Sequence, residues 1–529
     1  MDDLSPRHPG IHAEKAPDRI AIVMARSGRS MTYAALEALS NRAAHLFRNR
    51  GLSRGDGIAL LMENQLHYLP LVWGALRAGL RMTPLATHLT PPEADYIVAD
   101  SGAKVFITSS AMARTADHMA LETIPPENRF MLDGATACFR DLDADLAALP
   151  TTPISDQSEG IEMFYSSGTT GVPKGVRKPL PGTPFGVPHP GHLEAMARYR
   201  MDEQMVYLSP APLYHAAPLG YNLRTIRAGG MTIIMEKFDA EAALALIATH
   251  RVTHSQWVPT HFARLLALPD EVRTRYDLSS HRFAIHAAAP CSVPVKQAMI
   301  DWGGPIIHEY YGGSEGNGLT SLDTAEWLAH PGSVGRAQIG RIRICDDDGD
   351  EVATGTVGTV FFEGGPRFEY HNDPGKTAGS YNKHGWSTLG DIAYVDATDY
   401  LYLTDRRAFM IISGGVNIYP QEAENVLVTH PAVYDAAVIG VPNAEFGEEV
   451  KAVVQPVDPA QAGEELAAEL IAYCRANLSP VKCPRSVDFE AHLPREANGK
   501  LYKQELRKRY CRRQVDAGRR LRTNSARCR

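Results

Sequence analysis

Residues 166–175 read SSGTTGVPKG and follow the apolar run at 161–165. Two serines, two threonines and three glycines in ten residues offer hydroxyls and backbone N–H groups that can close around phosphate oxygens. Lys174 adds a positive charge to this polyphosphate cradle. A Walker A loop requires GxxxxGK followed by Ser or Thr, whereas Val172 and Pro173 separate Gly171 from Lys174 and Gly175 follows the lysine. An ordinary P-loop kinase or ATPase is therefore disfavoured, and a generic glycine turn is the competing interpretation. Residues 307–316, IHEYYGGSEG, form a second such place. A strand running into glycines presents Ser314 and Glu315, a hydroxyl and a carboxylate suited to a phosphate and to a hard divalent cation such as Mg²⁺. Taken alone, Glu315 reads as a solvated loop acid.

Hydrophobic periodicity predicts the elements that must hold these loops. Residues 33–50 place apolar side chains at helical spacing and Gly51 stops them; 58–62 reads as a strand, 66–78 as a helix and 105–108 as a strand. This is a βα alternation around a largely parallel sheet. Later strands are predicted at 162–165, 205–208, 232–235, 306–311 and 357–363, with helical patterns between most of them. From about 333 to 405 the pattern changes to short strands with glycine turns, a small β-rich subdomain. Beyond Arg406 a new unit begins, with an apolar run at 410–412, a turn at Ser413, Gly414 and Gly415, Pro420 at a first helical position and Pro431 ending that helix. Residues 178–192 hold five prolines and three glycines and are predicted to be a loop over the site that the glycine run forms. The fold class expected is α/β. Two α/β subdomains and the β-rich subdomain make a large N-terminal domain at 1–406, followed by a smaller, mobile α+β domain at 407–506 and a tail at 507–529.

Composition narrows the function classes. With 529 residues, 22% charged and 44% apolar, the chain can bury a large core, and neither collagen-like nor coiled-coil architecture fits. The longest uncharged apolar run, at 68–76, is too short to cross a bilayer. The start, MDDLSPRHPG, has no basic segment leading an apolar one, so a cytoplasmic location is expected. Seven cysteines, at 138, 291, 345, 474, 483, 511 and 528, include no CxxC pair and read as buried small hydrophobes. The net charge of −7 hides a tail of +9 at 507–529 against −16 for the rest. Such a tail reads as a solvated end, with peripheral contact to acidic lipid as the minority interpretation; with no aromatic interleaving beyond Tyr510, nucleic-acid binding is not expected.

From about residue 16 to residue 506 the chain resembles the adenylate-forming superfamily of acyl-CoA synthetases, aryl-CoA ligases, nonribosomal adenylation domains and luciferases, and most of all a fatty-acid or aromatic-acid CoA ligase. TTGVPKG stands where that family has its signature loop. The resemblance implies that Ser166, Ser167, Gly168, Thr169, Thr170, Gly171 and Lys174 hold ATP phosphates. It also implies that Tyr310, Tyr311, Gly312 and Ser314 hold the nucleotide, and that Glu315 with Thr170 binds Mg²⁺; Ser314 replaces the usual Thr and keeps the hydroxyl. In WSTLGD, Asp391 would accept the ribose hydroxyls, joined by Arg406 of TDRRAF. In PREANGKL, Lys500 would be the catalytic lysine, bridging an anionic carboxylate and the α-phosphate it attacks. Ser413, Gly414 and Gly415 would line the channel for coenzyme A. The acid pocket would draw on Tyr214, the catalytic candidate His215, Trp257, Ala287 and Gly313, with Ala288, Ala289 and Pro290 beside adenine, where many members have glycines.

The implied cycle has two reactions. A carboxylate and ATP give acyl-AMP and pyrophosphate, and a thiol then displaces AMP, with a swing of the C-terminal domain between them. At the hinge, where Asp or Lys is usual, this chain has Ala408 followed by Phe409. The leading expectation is a ligase joining a hydrophobic carboxylic acid to CoA. A stand-alone enzyme loading a carrier protein and a catalytically silent nucleotide- or acyl-CoA-binding homologue are the alternatives, and a homodimer is compatible with all three.

Overall fold

The computed structural model describes residues 5–166, 173–406, 409–414, 416–443, 445–495 and 501–511. A six-stranded parallel sheet takes the strands Arg140–Asp141, Arg129–Leu132, Ala103–Ser109, Gly57–Leu61, Arg81–Leu85 and Ile161–Glu162 in that spatial order. The helices Tyr33–Asn49 and Tyr68–Arg77 bury their apolar stripes against it, and Leu36, Ala43, Phe47, Leu69 and Trp73 are withdrawn from solvent. These are the βα repeats that the 3.6-residue period predicts. A nine-stranded sheet is the second layer, with parallel centre strands Phe283–His286, His254–Trp257, Val206–Ser209 and Met231–Ile234. The strand Ile307–Tyr311 joins them in parallel beside Phe283–His286 and is followed by the antiparallel Leu319–Leu322.

The β-rich segment forms a four-stranded antiparallel sheet of Arg341–Cys345, Gly358–Glu363, Asp391–Val395 and Leu401–Arg406. The first strand of that stretch, Arg336–Ile339, departs from expectation and adds to the nine-stranded sheet. The C-terminal unit pairs the long strands Val433–Asn443 and Gly447–Pro456, with the helices Pro420–Leu427 and Glu464–Asn477 over a core that includes Val438, Val454 and Leu470. Pro420 opens its helix as expected, but that helix ends at Leu427, four residues before Pro431.

Two further predicted boundaries move. The strand expected at 162–165 is two short pieces, Ile161–Glu162 and Tyr165–Ser166, which belong to different sheets. The loop expected through residue 192 ends earlier, because Pro190 starts the helix Pro190–Arg198 and the ring of His189 accepts the N–H of Gly191. Proline at a first helical position lacks only an N–H that would go unpaired there anyway. No helix among the described residues is long and apolar enough to cross a membrane.

Candidate active site

A cavity of about 680 Å³ opens where the C-terminal ends of the nine-stranded sheet face the β-rich sheet, and every lining residue falls between Glu162 and Gly390. Ligands of open α/β sheets bind at such strand ends. Ser166 reaches it from a three-stranded sheet in which Tyr165–Ser166 pairs with Lys174–Arg177, which in turn pairs with Glu369–Tyr370. The strand Ile307–Tyr311 delivers Tyr310 to the cavity, and the turn after it delivers Gly312, Gly313, Ser314 and Glu315. Below that strand, Lys296 and Glu309 form a fully buried ion pair. Burial pushes the Glu309 carboxyl up, and the ammonium of Lys296 opposes that shift.

Strand alternation sends Tyr311 the other way. Its hydroxyl donates to Oδ2 of Asp391 at 2.5 Å, and its ring stacks on Phe362. Asp391 begins its strand directly after the lining residues Thr388, Leu389 and Gly390, and it stands opposite Arg406 in the ladder. One step of antiparallel pairing thus joins the two residues expected at ribose.

The buried carboxylate of Glu315 accepts the hydroxyl of Tyr370 at 2.9 Å. Lys178 approaches the same turn, since a Cβ on Gly316 would stand 3.1 Å from its Nζ. Burial lowers the pKa of Lys178 against the opposing pull of Glu162 and Glu315. Lys376 lies 4.6 Å over the ring of Tyr370, and burial lowers its pKa too, with Lys174 adding to the effect. Lys174 does not line the cavity: its ammonium binds Asp373 at 2.6 Å, and that hydrogen bond raises its pKa. Among the described residues no three His, Cys, Asp or Glu side chains gather as a metal cage. A lone carboxylate beside hydroxyls nevertheless fits Mg²⁺, which takes one or two protein oxygens and completes its shell with water and substrate phosphates.

On the other side the helix Ala216–Ala228 runs from His215, which lines the cavity, to Gly229 at φ 82°. Ala287 and Ala288 also line it, and Ala288 holds a left-handed φ of 77°. Two expected pocket residues do not reach it. Tyr214 is buried with its ring against His215 and His88. Trp257 is buried among Phe238, His261 and Phe262, while its strand neighbours Gln256 and Val258 face the cavity. Ala289 and Pro290 follow in the same loop without lining it.

Ser413 ends the strand Ile411–Ser413, and Gly414 follows at φ 58° with its N–H on the carbonyl of Phe446; neither lines the cavity. Ser167, Gly168, Thr169, Thr170, Gly171, Ala408, Gly415 and Lys500, the side chain of Arg406 and residues 512–529 lie outside the described residues. Several lining cations and aromatics had no motif to announce them, among them Lys178, Lys376, Tyr370 and Arg224. For Arg224 a signal existed, since it follows Gly220 and Tyr221 by four and three residues on the helix after His215.

The model of the AMP-binding enzyme family matches residues 11–366, and that of the AMP-binding enzyme C-terminal domain matches 422–500. A feruloyl-CoA synthase from Amycolatopsis sp is 33% identical over 494 residues, covering 93% of this chain and 96% of that protein. The long-chain-fatty-acid–CoA ligase FadD13 of Mycobacterium tuberculosis is 31% identical over 485 residues, covering 91% and 93%. Among solved structures, ATP-bound MatB from Rhodopseudomonas palustris superposes with a TM-score of 0.80 at 28% identity, covering 95% of this chain and 99% of that one. With both domains matched and the strand-end cavity lined by its motif residues, the chain belongs to the AMP-binding enzyme family of adenylate-forming enzymes.

Proposed function

We propose that this protein is an ATP-dependent acid–CoA ligase that works through an acyl-adenylate. One observation carries the assignment: residues of the nucleotide motifs, Ser166, Ser314 and Glu315, share a single cavity with the acid-side residues His215 and Ala287. In the first reaction a carboxylate oxygen attacks the α-phosphorus of ATP, the P–O bond to the β-phosphate breaks, and pyrophosphate leaves. In the second the sulfur of CoA attacks the acyl carbon, its proton departs, and AMP leaves with the electrons of the broken C–O bond.

Both first-step reactants are anionic, so the site must supply positive charge and orientation. Lys178 and Lys376 stand beside the Glu315 turn to do so, and Lys500 is assigned the bridge between carboxylate and α-phosphate. Glu315, with the hydroxyl of Thr170, would hold Mg²⁺, which when bound neutralises charge on phosphate oxygens. Asp391 and Arg406 are assigned to ribose, and Ser413 to Gly415 to the thiol's approach. In this reading residues 1–406 bind ATP and the acid, and residues 407–506 act as a lid that turns near Ala408.

The test is Lys500→Ala. Acid-dependent pyrophosphate release should fall on the order of a hundredfold or more, with folding and ATP binding nearly intact. Unchanged turnover would remove Lys500 from the mechanism. AMP release that depends on CoA separates the ligase from an enzyme that loads a carrier protein. The two relatives are named for a fatty acid and for an aromatic one, so the acid accepted here is set by this chain's own wall.

A further inference from the structure

The cavity contains a further cation to which the proposed mechanism gives no role. Arg224 lines it from the helix Ala216–Ala228, and its guanidinium carbon lies 5.0 Å from the ring centre of Tyr221. A Cβ on Gly220 would stand 3.2 Å from Nη1, so the side chain folds back over the preceding turn, in the direction that helical side chains favour. Gly220 leaves the room for it. Among the described residues no acid forms an ion pair with Arg224, and its Nε is buried without a hydrogen-bond partner.

His192 faces the same space from the helix Pro190–Arg198, and its Nδ1 is likewise buried and unpartnered. Burial first, and then the charge of Arg224, hold its pKa well below the usual histidine value. It is therefore neutral at pH 7 and contributes a hydrogen-bonding group rather than a second charge. A guanidinium that is partly out of water with no anion beside it is costly, and a carboxylate meeting it in two parallel hydrogen bonds would remove that cost.

We propose that Arg224, assisted by neutral His192, anchors a second anionic group on the substrate, so that the acid activated here carries another carboxylate at its far end. The inference rests on the reading of this cavity as the acid site of a CoA ligase. Gly220 follows His215 by five positions, so with His215 marking the reacting carboxylate the two ends of the acid lie about 7 to 8 Å apart. That is the length of a short aliphatic chain or of one aromatic ring. The hydrophobic acid expected from the sequence would then carry a second carboxylate.

The experiment measures acid-dependent pyrophosphate release by the full chain on matched pairs, adipate against hexanoate and terephthalate against p-toluate. The wild type should favour at least one diacid over its monoacid partner by a hundredfold or more in kcat/KM, because a site built to pair with a polar group rejects the analogue that lacks it. Arg224→Met should reverse the preference, chiefly through KM for the diacid, and Arg224→Lys should restore part of it. A thermal melt with and without ATP checks that each variant folds and binds nucleotide. If Arg224→Met does not fold, the wild-type ratio and Arg224→Lys decide the matter. A wild-type preference for both monoacids, or a ratio unmoved by substitution at Arg224, overturns this proposal and leaves the ligase assignment standing. Failure of every acid to release pyrophosphate overturns both.

Discussion

The two walls of the cavity are built by different means. The nucleotide wall consists of turns at strand ends, where glycines bring backbone close and most charges already have partners: Glu315 with Tyr370, Lys174 with Asp373, Lys376 over Tyr370. The acid wall is built by the helices Ala216–Ala228 and Pro190–Arg198, and among the described residues no acid forms an ion pair with its Arg224 guanidinium. A wall for an invariant ligand can be pre-paired and spelled out in short local strings. A wall that selects among acids can do so through one side chain at a helical position, which leaves the rest of the helix free to pack. The walls should therefore fail differently, one in rate for every acid and the other in the ratio between acids.

The largest effect expected on the nucleotide wall is that of Glu315→Gln. The amide keeps the size of the side chain and can still accept the hydroxyl of Tyr370, so the change removes charge rather than packing. Turnover should fall on the order of a hundredfold, with more magnesium needed for half-maximal rate. The fall should be equal for every acid. A titration with magnesium identical to wild type would detach Glu315 from the metal, and a changed acid preference would break the separation of the walls.

A smaller effect is expected from Lys178→Arg. A lysine serves anionic phosphates only while protonated, and burial has moved this one's pKa downward. The rate should therefore decline on the alkaline side at a lower pH than an ordinary lysine would impose. Arginine stays charged throughout, so the variant should retain activity further into alkaline pH while its rate near neutrality changes little. A pH profile of pyrophosphate release with the same alkaline limb in both proteins would remove Lys178 from contact with the phosphates.

How much of this was legible in the residues follows the same division. The strand Ile307–Tyr311, its glycine turn and Glu315 lie in one string, and their expected positions agree with the structure to within a residue. The β-rich sheet was legible from its glycine-punctuated short strands. Tyr370 was not, because it reaches Glu315 through the pairing of Glu369–Tyr370 with Lys174–Arg177, a tertiary register that no local string encodes. Trp257, expected in the pocket from the resemblance, is in the core because the two-residue alternation of its strand sends Gln256 and Val258 to the cavity and the indole away from it. Arg224 was not legible, because no motif marks it and it is one of two arginines on its helix, with Arg227.

Ala288 sits between the walls and gives the smallest and most delicate test. It is exposed, it lines the cavity, and its φ of 77° is in the left-handed region, where an L side chain with a Cβ is strained by roughly 1 kcal/mol or more. Ala288→Gly removes that strain but gives the unfolded chain more freedom, worth about 0.5 to 1 kcal/mol in the opposite direction. The difference favours the glycine variant by about 0.5 kcal/mol, which for a chain of this length means a rise in Tm of no more than about 1 to 2 °C. Neither the acid ratio nor the magnesium requirement should move, since the change leaves Arg224 and Glu315 in place. A clear fall in Tm would mean that packing of the methyl outweighs the backbone strain, and a shift in acid ratio would place Ala288 within the acid wall rather than at its edge.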